Sequence, residues 1–551
     1  MQGREFFKKY EIRNMKNVIR KLPVFLLPLS VLGIYLLFRA NLISQDSWKV
    51  ILGFSFSVAF ALSLVPFRDY FNFKMSRKIE KWLPYFLVSF GFVIYGIYGL
   101  VKFYHFGNPA WDFGLYDQWI WKISKLQEAR GSLWGAHVLA DNFPLIVYLI
   151  APIYWIFNHA IVLILFEILV VSFGALPIYW LARKRFKINL LPIALCLAYI
   201  FYIGNQYALN FSFHPSTLFA TLFLFAFYFF EEKRYFWHFV FLVLALICKV
   251  NVALYIIGYG FFLLLQKYRL GAIHVILGLA WFIFATKMMI YFGGEPRFGL
   301  YASLGKTPLL IIQEIILHPI HPVSLFLENP EKVFVLFTIF ASFGFLVLLS
   351  PSLWPIFLPM LAERFWSSNY AHWILVFHYG APISAILVLS AMLGVLYLKK
   401  QIRFPWEFFV GVFLIINLLS ITYLLQAPIH NLIHRSFWQS NPEILSANKA
   451  IKLIPKEASV SAQDLFVSHL AHREKVFLFP GEFNTSQFVL LDIKKDTYPI
   501  KPEEYHQYVK QLLADKNYGI KFNEASVILL ERGLKSSVGP SQEILNFLKS
   551  N

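Results

Sequence analysis

The sequence predicts an α-helical polytopic membrane protein of about 13 transmembrane helices, with a small extracytoplasmic α/β domain at the C-terminal end. Three observations lead there. Hydrophobic residues make up 58% of the chain and mean hydropathy is +0.58, above the ~45–50% apolar usage of soluble domains. Apolar stretches recur from Leu22 to Leu425, many close to the ~20 residues that a bilayer-crossing helix needs. The short loops between them are alternately basic and non-basic, which is the positive-inside signature.

Taken in order, the candidate spans are 22–38, 50–66, 83–101, 160–181, 190–208, 217–230, 235–249, 251–265, 271–291, 333–350, 353–364, 380–398 and 406–425. The weakest is 353–364, which contains Pro355 and Pro359. Basic residues before the first span, among them Arg13, Lys16, Arg20 and Lys21, are joined by those in Arg68–Lys81, Arg183–Lys187, Lys233/Arg234, Lys267/Arg269 and Lys399–Arg403. Together these segments hold 23 Lys/Arg against 6 Asp/Glu, so most of the chain's net charge of +19 sits on one side of the predicted membrane. The basicity is therefore a topology signal and carries no sign of a nucleic-acid partner. It predicts a multi-pass cell-membrane protein with a cytoplasmic N-terminus and the first apolar run kept as an anchor. The two cysteines, Cys196 and Cys248, fall in spans, so no disulfide is expected in the outer domain.

The expected organisation is an N-terminal tail with an extra transmembrane hairpin over 1–82, a transmembrane core over 83–425 and the α/β domain over 426–551. The core's first outer loop, 102–159, is too long for a plain connector. Its apolar run 143–157 is separated from the span 160–181 only by Asn158 and His159. If both crossed, Arg183, Lys184, Arg185 and Lys187 would fall outside, so 143–157 is assigned to the outer interface. Trp111–Ser132 reads as an amphipathic interfacial helix. A second outer loop, 293–332, carries a helical piece at 308–317. In the tail, the pattern predicts a helix at 442–454 behind Asn441 as N-cap. Strands are expected at 458–462, 475–479, 487–493 and 526–531, with a second helix at 502–515.

The densest chemistry is Trp111-Asp112-Phe113-Gly114-Leu115-Tyr116-Asp117-Gln118. Two carboxylates among aromatics at a membrane interface suit a general base, a metal ligand or a hydroxyl binder, because desolvation raises a carboxylate pKa toward a useful range. The alternative is that Asp112 caps the interfacial helix and Asp117 faces water. Asp141, four residues after His137, either caps the interfacial run or joins the same site. His214, in the turn Asn210–Pro215, suits a phosphate or sugar contact or simple backbone satisfaction. Lys249 at a helix end either meets a phosphate or snorkels. Arg364, Asn369, His372, His378 and Tyr379 gather around another outer turn, where Arg364 is a natural phosphate ligand. Lys287, Glu295 and Arg297 bracket the mouth of the span 271–291. Glu167 lies within a span, where an acid is either functional or bonded to a neighbouring helix. Phosphate-binding, hydrolase-elbow and zinc motifs are absent from the sequence.

These residues resemble an uncharacterised family of bacterial and archaeal multi-pass membrane proteins, a domain of unknown function. The signature residues are Trp111–Gln118, Ala140-Asp141-Asn142-Phe143, Leu149–Tyr154, Gly174–Tyr179, Ala182–Lys184, Phe213-His214-Pro215, Thr286-Lys287, Ser368-Asn369 and His378–Pro382. In the tail they are Ala458–Ala462, Ser468–Arg473 and Pro502–Tyr505; the likeness covers about residues 83–532. That family is similar to the GT-C class of membrane glycosyltransferases. The resemblance implies a GT-C-like core that transfers a sugar from a polyprenyl-phosphate donor to an acceptor at the outer face. It implies Asp112 or Asp117 as base with Asp141 in support. Gln118, His214, Asn369, His378 and Tyr379 would contact substrate, and Lys249, Lys287 and Arg364 would hold the phosphate. The cofactor is left open, a divalent cation included, and membrane lipid is the other expected partner. Ser212 stands where the family usually has Asp, Val250-Asn251 where it has Glu-Asp, and Asn142 where it has His. These departures point to an altered acceptor or metal need, or to lost activity. The alternatives are a lipid-handling or transport protein on the same scaffold, and a degenerate scaffold with an interaction tail.

Overall fold

The computed structural model describes residues 45–71, 75–536 and 539–549. The predicted first span, 22–38, and the basic segment before it lie outside the described residues. Among those described, seven helices are long and apolar enough to cross a membrane: Asp46–Phe71, Arg77–Tyr104, Ile161–Arg185, Leu190–Phe211, Gly271–Tyr291, His378–Gln401 and Trp406–Leu424. Each coincides with a predicted span. The other predicted spans are shorter as helices. Tyr235–Leu246 has 12 residues and Val252–Leu265 has 14, which at 1.5 Å per residue reach about 18–21 Å, less than the ~30 Å hydrocarbon thickness. The run 333–350 breaks after Ser342, where Gly344 and Phe345 both take positive φ. The run 353–364 is the 12-residue helix Trp354–Phe365. Residues 143–157 form only two short helices, Ile146–Ile150 and Ile153–Ile156.

Packing explains how short helices hold their places. A Cβ added to Gly258, on Val252–Leu265, would lie 2.1 Å from the Pro355 carbonyl oxygen, and one on Gly271 would lie 2.4 Å from the Gly260 oxygen. Val252–Leu265 is thus pressed backbone to backbone against Trp354–Phe365 on one side and Gly271–Tyr291 on the other. Lipid tails are as apolar as leucine, so such close approach is what drives helix association.

The tail folds as expected in outline. Asn441 caps the helix Pro442–Lys452 by accepting from the Ile444 N–H at 2.8 Å. The strands are β1 (Val460–Ala462), β2 (Val476–Leu478), β3 (Phe488–Asp492), β4 (Tyr518–Glu524) and β5 (Val527–Arg532), in the order β2-β1-β3-β5-β4. β1 runs parallel to β2 and β3, whereas β5 is antiparallel to β3 and β4. Helix Pro502–Ala514 packs Tyr505, Val509 and Leu512 into a core with Val489, Leu491 and Ile528. The other sheet face buries Val460, Leu490 and Leu529 with Phe466 and Val467 of the helix Asp464–Leu470.

Gly258→Val should lower the thermal midpoint of the detergent-purified protein, with a loss of about 1–3 kcal/mol expected for overpacking. Leu254→Val, on an exposed face of the same helix, should leave the midpoint nearly unchanged.

Candidate functional site

The segment after helix Arg77–Tyr104 is built around an unusual backbone. Asp112 has φ +62° and ψ −74°, the rare and strained γ-turn geometry. Three further positive-φ residues surround the site: Asn142, Phe143 and Ser212. Ser212, at φ 94° and ψ 178°, sits in a region that is almost exclusive to glycine, and its hydroxyl accepts from the Asn108 amide. The turn gives way to the helix Leu115–Ser124. The sequence pattern assigns this helix a polar face toward water. Instead, Asp117 and Gln118 are as buried as Trp119 and Ile120, because the tail covers that face.

Two constellations flank this helix. The first gathers Asp112, Asp141, Lys249, Arg297 and Glu363. Tyr116 donates its hydroxyl hydrogen to Asp141 Oδ2 at 2.9 Å. Asp141 Oδ1 receives Arg297 at 2.8 Å and the Asn142 amide at 2.9 Å. The turn at 141–143 is stitched to the Lys249 corner by backbone: Val250 N–H donates to the Asn142 oxygen at 2.9 Å, and Ile146 N–H to the Ile247 oxygen at 3.0 Å. Lys249 Nζ lies 3.3 Å from Glu363 Oε1 and 5.2 Å from the centre of the Tyr379 ring. Asn251 donates to Glu363 Oε1 at 2.6 Å and Tyr255 to Oε2. Beside them, Asn142, Lys249, Arg297, Tyr301, His372 and Tyr379 line a cavity of about 60 Å³, room for a few waters or one small polar group.

The Asp112 carboxylate accepts no hydrogen bond from the described residues, while its backbone oxygen accepts from the Leu115 N–H. Loss of water, and after it the Asp141 charge, pushes its carboxyl up to about 7, against the pull of Arg297 and Lys249. A carboxyl moved this far from its ordinary range by burial is one whose charge changes near neutrality. Burial, with the charges of Lys249 and Arg297, holds His214 well below the usual histidine range, and His372 is pushed down to about 4 by burial and Lys249. His214 stacks on His378 with ring centres 3.6 Å apart. Its Nδ1 meets the Ser216 hydroxyl at 2.7 Å, while both ring nitrogens of His378 are buried without a partner. Glu167 accepts from the His214 N–H at 3.2 Å, so the intramembrane acid supports this turn.

The other predicted residues have different surroundings. Arg364 is buried and donates to the carbonyls of His372, Trp373 and Ile374, with Nη1 left unpartnered. Asn369 is exposed and caps Tyr370–Trp373 through the Ala371 N–H. Lys287 is exposed on Gly271–Tyr291, beside Thr286, which lines the cavity. Gln118 is fully engaged: it donates to Ser132 and to the Arg473 carbonyl, and accepts from the Ser132 N–H.

Asp117 belongs to the second constellation. Tyr154 donates to its Oδ1, and His472 of the tail lies 3.0 Å from the same oxygen, while Oδ2 is buried without a partner. This pair opens on a cavity of about 440 Å³ between the first loop and the tail. The same seam is tied by Asp464, which accepts from the Ala110 N–H at 2.9 Å. Ser468 donates to the Asn108 oxygen. His469 stacks on Phe103 at 4.0 Å and meets the Phe103 oxygen at 2.9 Å. The tail residues Ser468–Arg473, to which the sequence reading gives no role, thus close the loop from above.

Glu363 is absent from the sequence-based candidates. Its signal is the acid–base pair Glu363-Arg364 ending an apolar run. Among the described residues no group of three or more His, Cys, Asp or Glu side chains is arranged to hold a metal ion.

The family model described as predicted membrane protein (DUF2079) matches residues 102–529, and the chain belongs to that family. No curated protein matches the chain.

Removing His472 leaves Asp117 with one donor. His472→Ala should cost about 1–3 kcal/mol in an unfolding experiment. His472→Gln, whose amide still donates, should recover part of the loss, and limited proteolysis of the tail should quicken in the same order.

Proposed function

We propose that this DUF2079 protein is a membrane glycosyltransferase of the GT-C type, taking a sugar from a polyprenyl-phosphate donor and passing it to a hydroxyl acceptor at the outer face of the membrane. In this reading the shorter apolar helices complete a bundle of about 13 spans, the N-terminus is cytoplasmic and the tail extracytoplasmic. The observation that carries the reading is the Asp112 carboxylate, without a hydrogen bond among the described residues and pushed up to about 7, within electrostatic reach of the cations Lys249 and Arg297.

That pairing suits an inverting displacement. The acceptor hydroxyl loses its proton to Asp112 as its oxygen bonds to the anomeric carbon. The bond from that carbon to the phosphate oxygen breaks on the opposite face, and the phosphate leaves with the electron pair. Lys249 and Arg297 neutralise the departing charge, with Arg297 held by Asp141 and Lys249 by Glu363. Lys287 guides the phosphate in from the exposed side, and Arg364 shapes the turn that carries His372, His378 and Tyr379. The Asn142, Asn251 and Ser212 positions each make a hydrogen bond through an amide or hydroxyl, so the residues that replace the family's usual polar ones still hold the site together.

Asp112→Asn keeps a residue that tolerates positive φ. It should reduce sugar transfer from lipid-linked donors by about 10²–10⁴-fold, the usual worth of a general base, with no change in thermal midpoint. Unchanged turnover would sink the assignment.

Asp112 acts only when ionised, so kcat/KM should fall as pH drops through about 7. Arg297→Gln removes a charge that lowers this pKa, so the limb should move to higher pH. A limb that stays in place would separate Arg297 from Asp112. Native mass spectrometry of the purified protein should retain a polyprenyl phosphate or its sugar conjugate, and Lys249→Ala combined with Arg297→Ala should lose it.

A further inference from the structure

The cavity of about 440 Å³ between the first loop and the tail has the size of a small-molecule site. Asp117 and Trp121, four residues apart on the helix Leu115–Ser124, both line it. That spacing sets them on one face, with about 5–6 Å between their Cβ atoms. Each carries a buried polar atom with no partner among the described residues: Asp117 Oδ2, an acceptor, and Trp121 Nε1, a donor. The other Asp117 oxygen is already taken by Tyr154 and His472. A buried polar group is costly to leave unpaired, so an open acceptor and an open donor side by side call for a ligand that supplies both complements.

The rest of the wall narrows the choice. Its charged residues balance, Asp117, Glu457 and Glu474 against Lys125, Lys456 and Arg473, so no net charge is asked of the ligand. An ammonium answers only the carboxylate, and a carboxylate or phosphate only the indole N–H. In a planar trans amide the N–H and C=O point opposite ways, so one peptide group does not meet both atoms on a single helix face. A hydroxyl donates and accepts, and neighbouring hydroxyls on one ring answer the two together. Apolar surface stands beside them: Trp121 lies nearly parallel over His472 with ring centres 5.8 Å apart, and Tyr154 meets the same imidazole edge-on at 4.9 Å.

We propose that this cavity binds a neutral saccharide, one hydroxyl donating to Asp117 Oδ2 and its neighbour accepting from Trp121 Nε1. Its walls come from both the first loop and the tail, so an occupant ties the two together. The site is separate from the Asp112 constellation, and the proposal does not rest on the proposed sugar transfer.

Saturation-transfer NMR of the full chain in detergent, with the methyl glycosides of glucose, galactose, mannose and N-acetylglucosamine as probes, tests it. At least one glycoside should bind saturably, raise the thermal midpoint and slow release of the tail by protease. The uronic acid and amino sugar of the same configuration should bind less tightly. Trp121→Phe keeps an aromatic ring and removes the N–H, and it should weaken binding on the order of 10-fold, the worth of one buried hydrogen bond. The midpoint rise given by the glycoside should shrink with it. Each variant is compared with and without sugar, so a change in its own stability cancels. Asp117→Asn, which trades a charged acceptor for a neutral one, should weaken binding as well. Binding by none of the glycosides, equal binding in wild type and Trp121→Phe, or tighter binding of a blocked dipeptide amide than of any glycoside would each overturn the proposal. The first would assign the two open atoms to bound water only.

Discussion

A carboxylate withdrawn from water is costly unless a cation and hydrogen-bond donors meet it, and Glu363 is met by three groups from one neighbouring segment. Lys249, Asn251 and Tyr255 all converge on it. Their convergence fixes the angle at which the helix Val252–Leu265 begins. The corner at Lys249 in turn carries the backbone bonds to Asn142 and Ile146, and Asp141 follows with Arg297. The first loop therefore inherits its position from a buried ion pair in a different part of the chain. The pair is worth little as net stability, since a well-packed apolar pair would do as well. Its value lies in orientation.

The strain in the loop follows from the same constraint. Asp112, Asn142 and Ser212 hold conformations that an unrestrained chain would leave. Each sits within one or two residues of a hydrogen bond to a distant segment: Ala110 to Asp464, Asn142 to Val250, and Ser212 to Asn108. Backbone strain of this kind persists only where its surroundings over-determine it. Two anchors, the Glu363 corner below and the tail above, supply that determination.

The long spans were legible because a run of apolar residues states its own length. The short helices were legible as apolar and not as lengths. The left-handed pair at Gly344-Phe345 ends Pro330–Ser342, and close packing at Gly258 and Gly271 holds a short helix in place; neither alters hydropathy. Asp112, Asp141 and Lys249 stood out as polar residues at the edges of apolar runs. Glu363 did not, because its partners lie more than 100 residues away. In the tail, β4 carried a readable alternation, Tyr518, Ile520 and Phe522 with Gly519, Lys521 and Asn523 between them, which the expected strands left out. The helix Asp464–Leu470 and its hold on the first loop left no periodic trace, since its polar residues face protein and not water.

That hold has a consequence for how the molecule is made. Asp117 and His472 are 355 residues apart in the chain. At about 5–20 residues per second, Asp117 is synthesised roughly 20–70 s before its partner exists. Through that interval Asp117, Gln118 and the Asn108 carbonyl must stay solvated, for their burial depends on a lid not yet translated. The helices between the two are therefore made before the loop can close, and the tail is what covers Asp117. A nascent chain that stops short of His472 would hold its apolar helices with the Asp117 face still open to water.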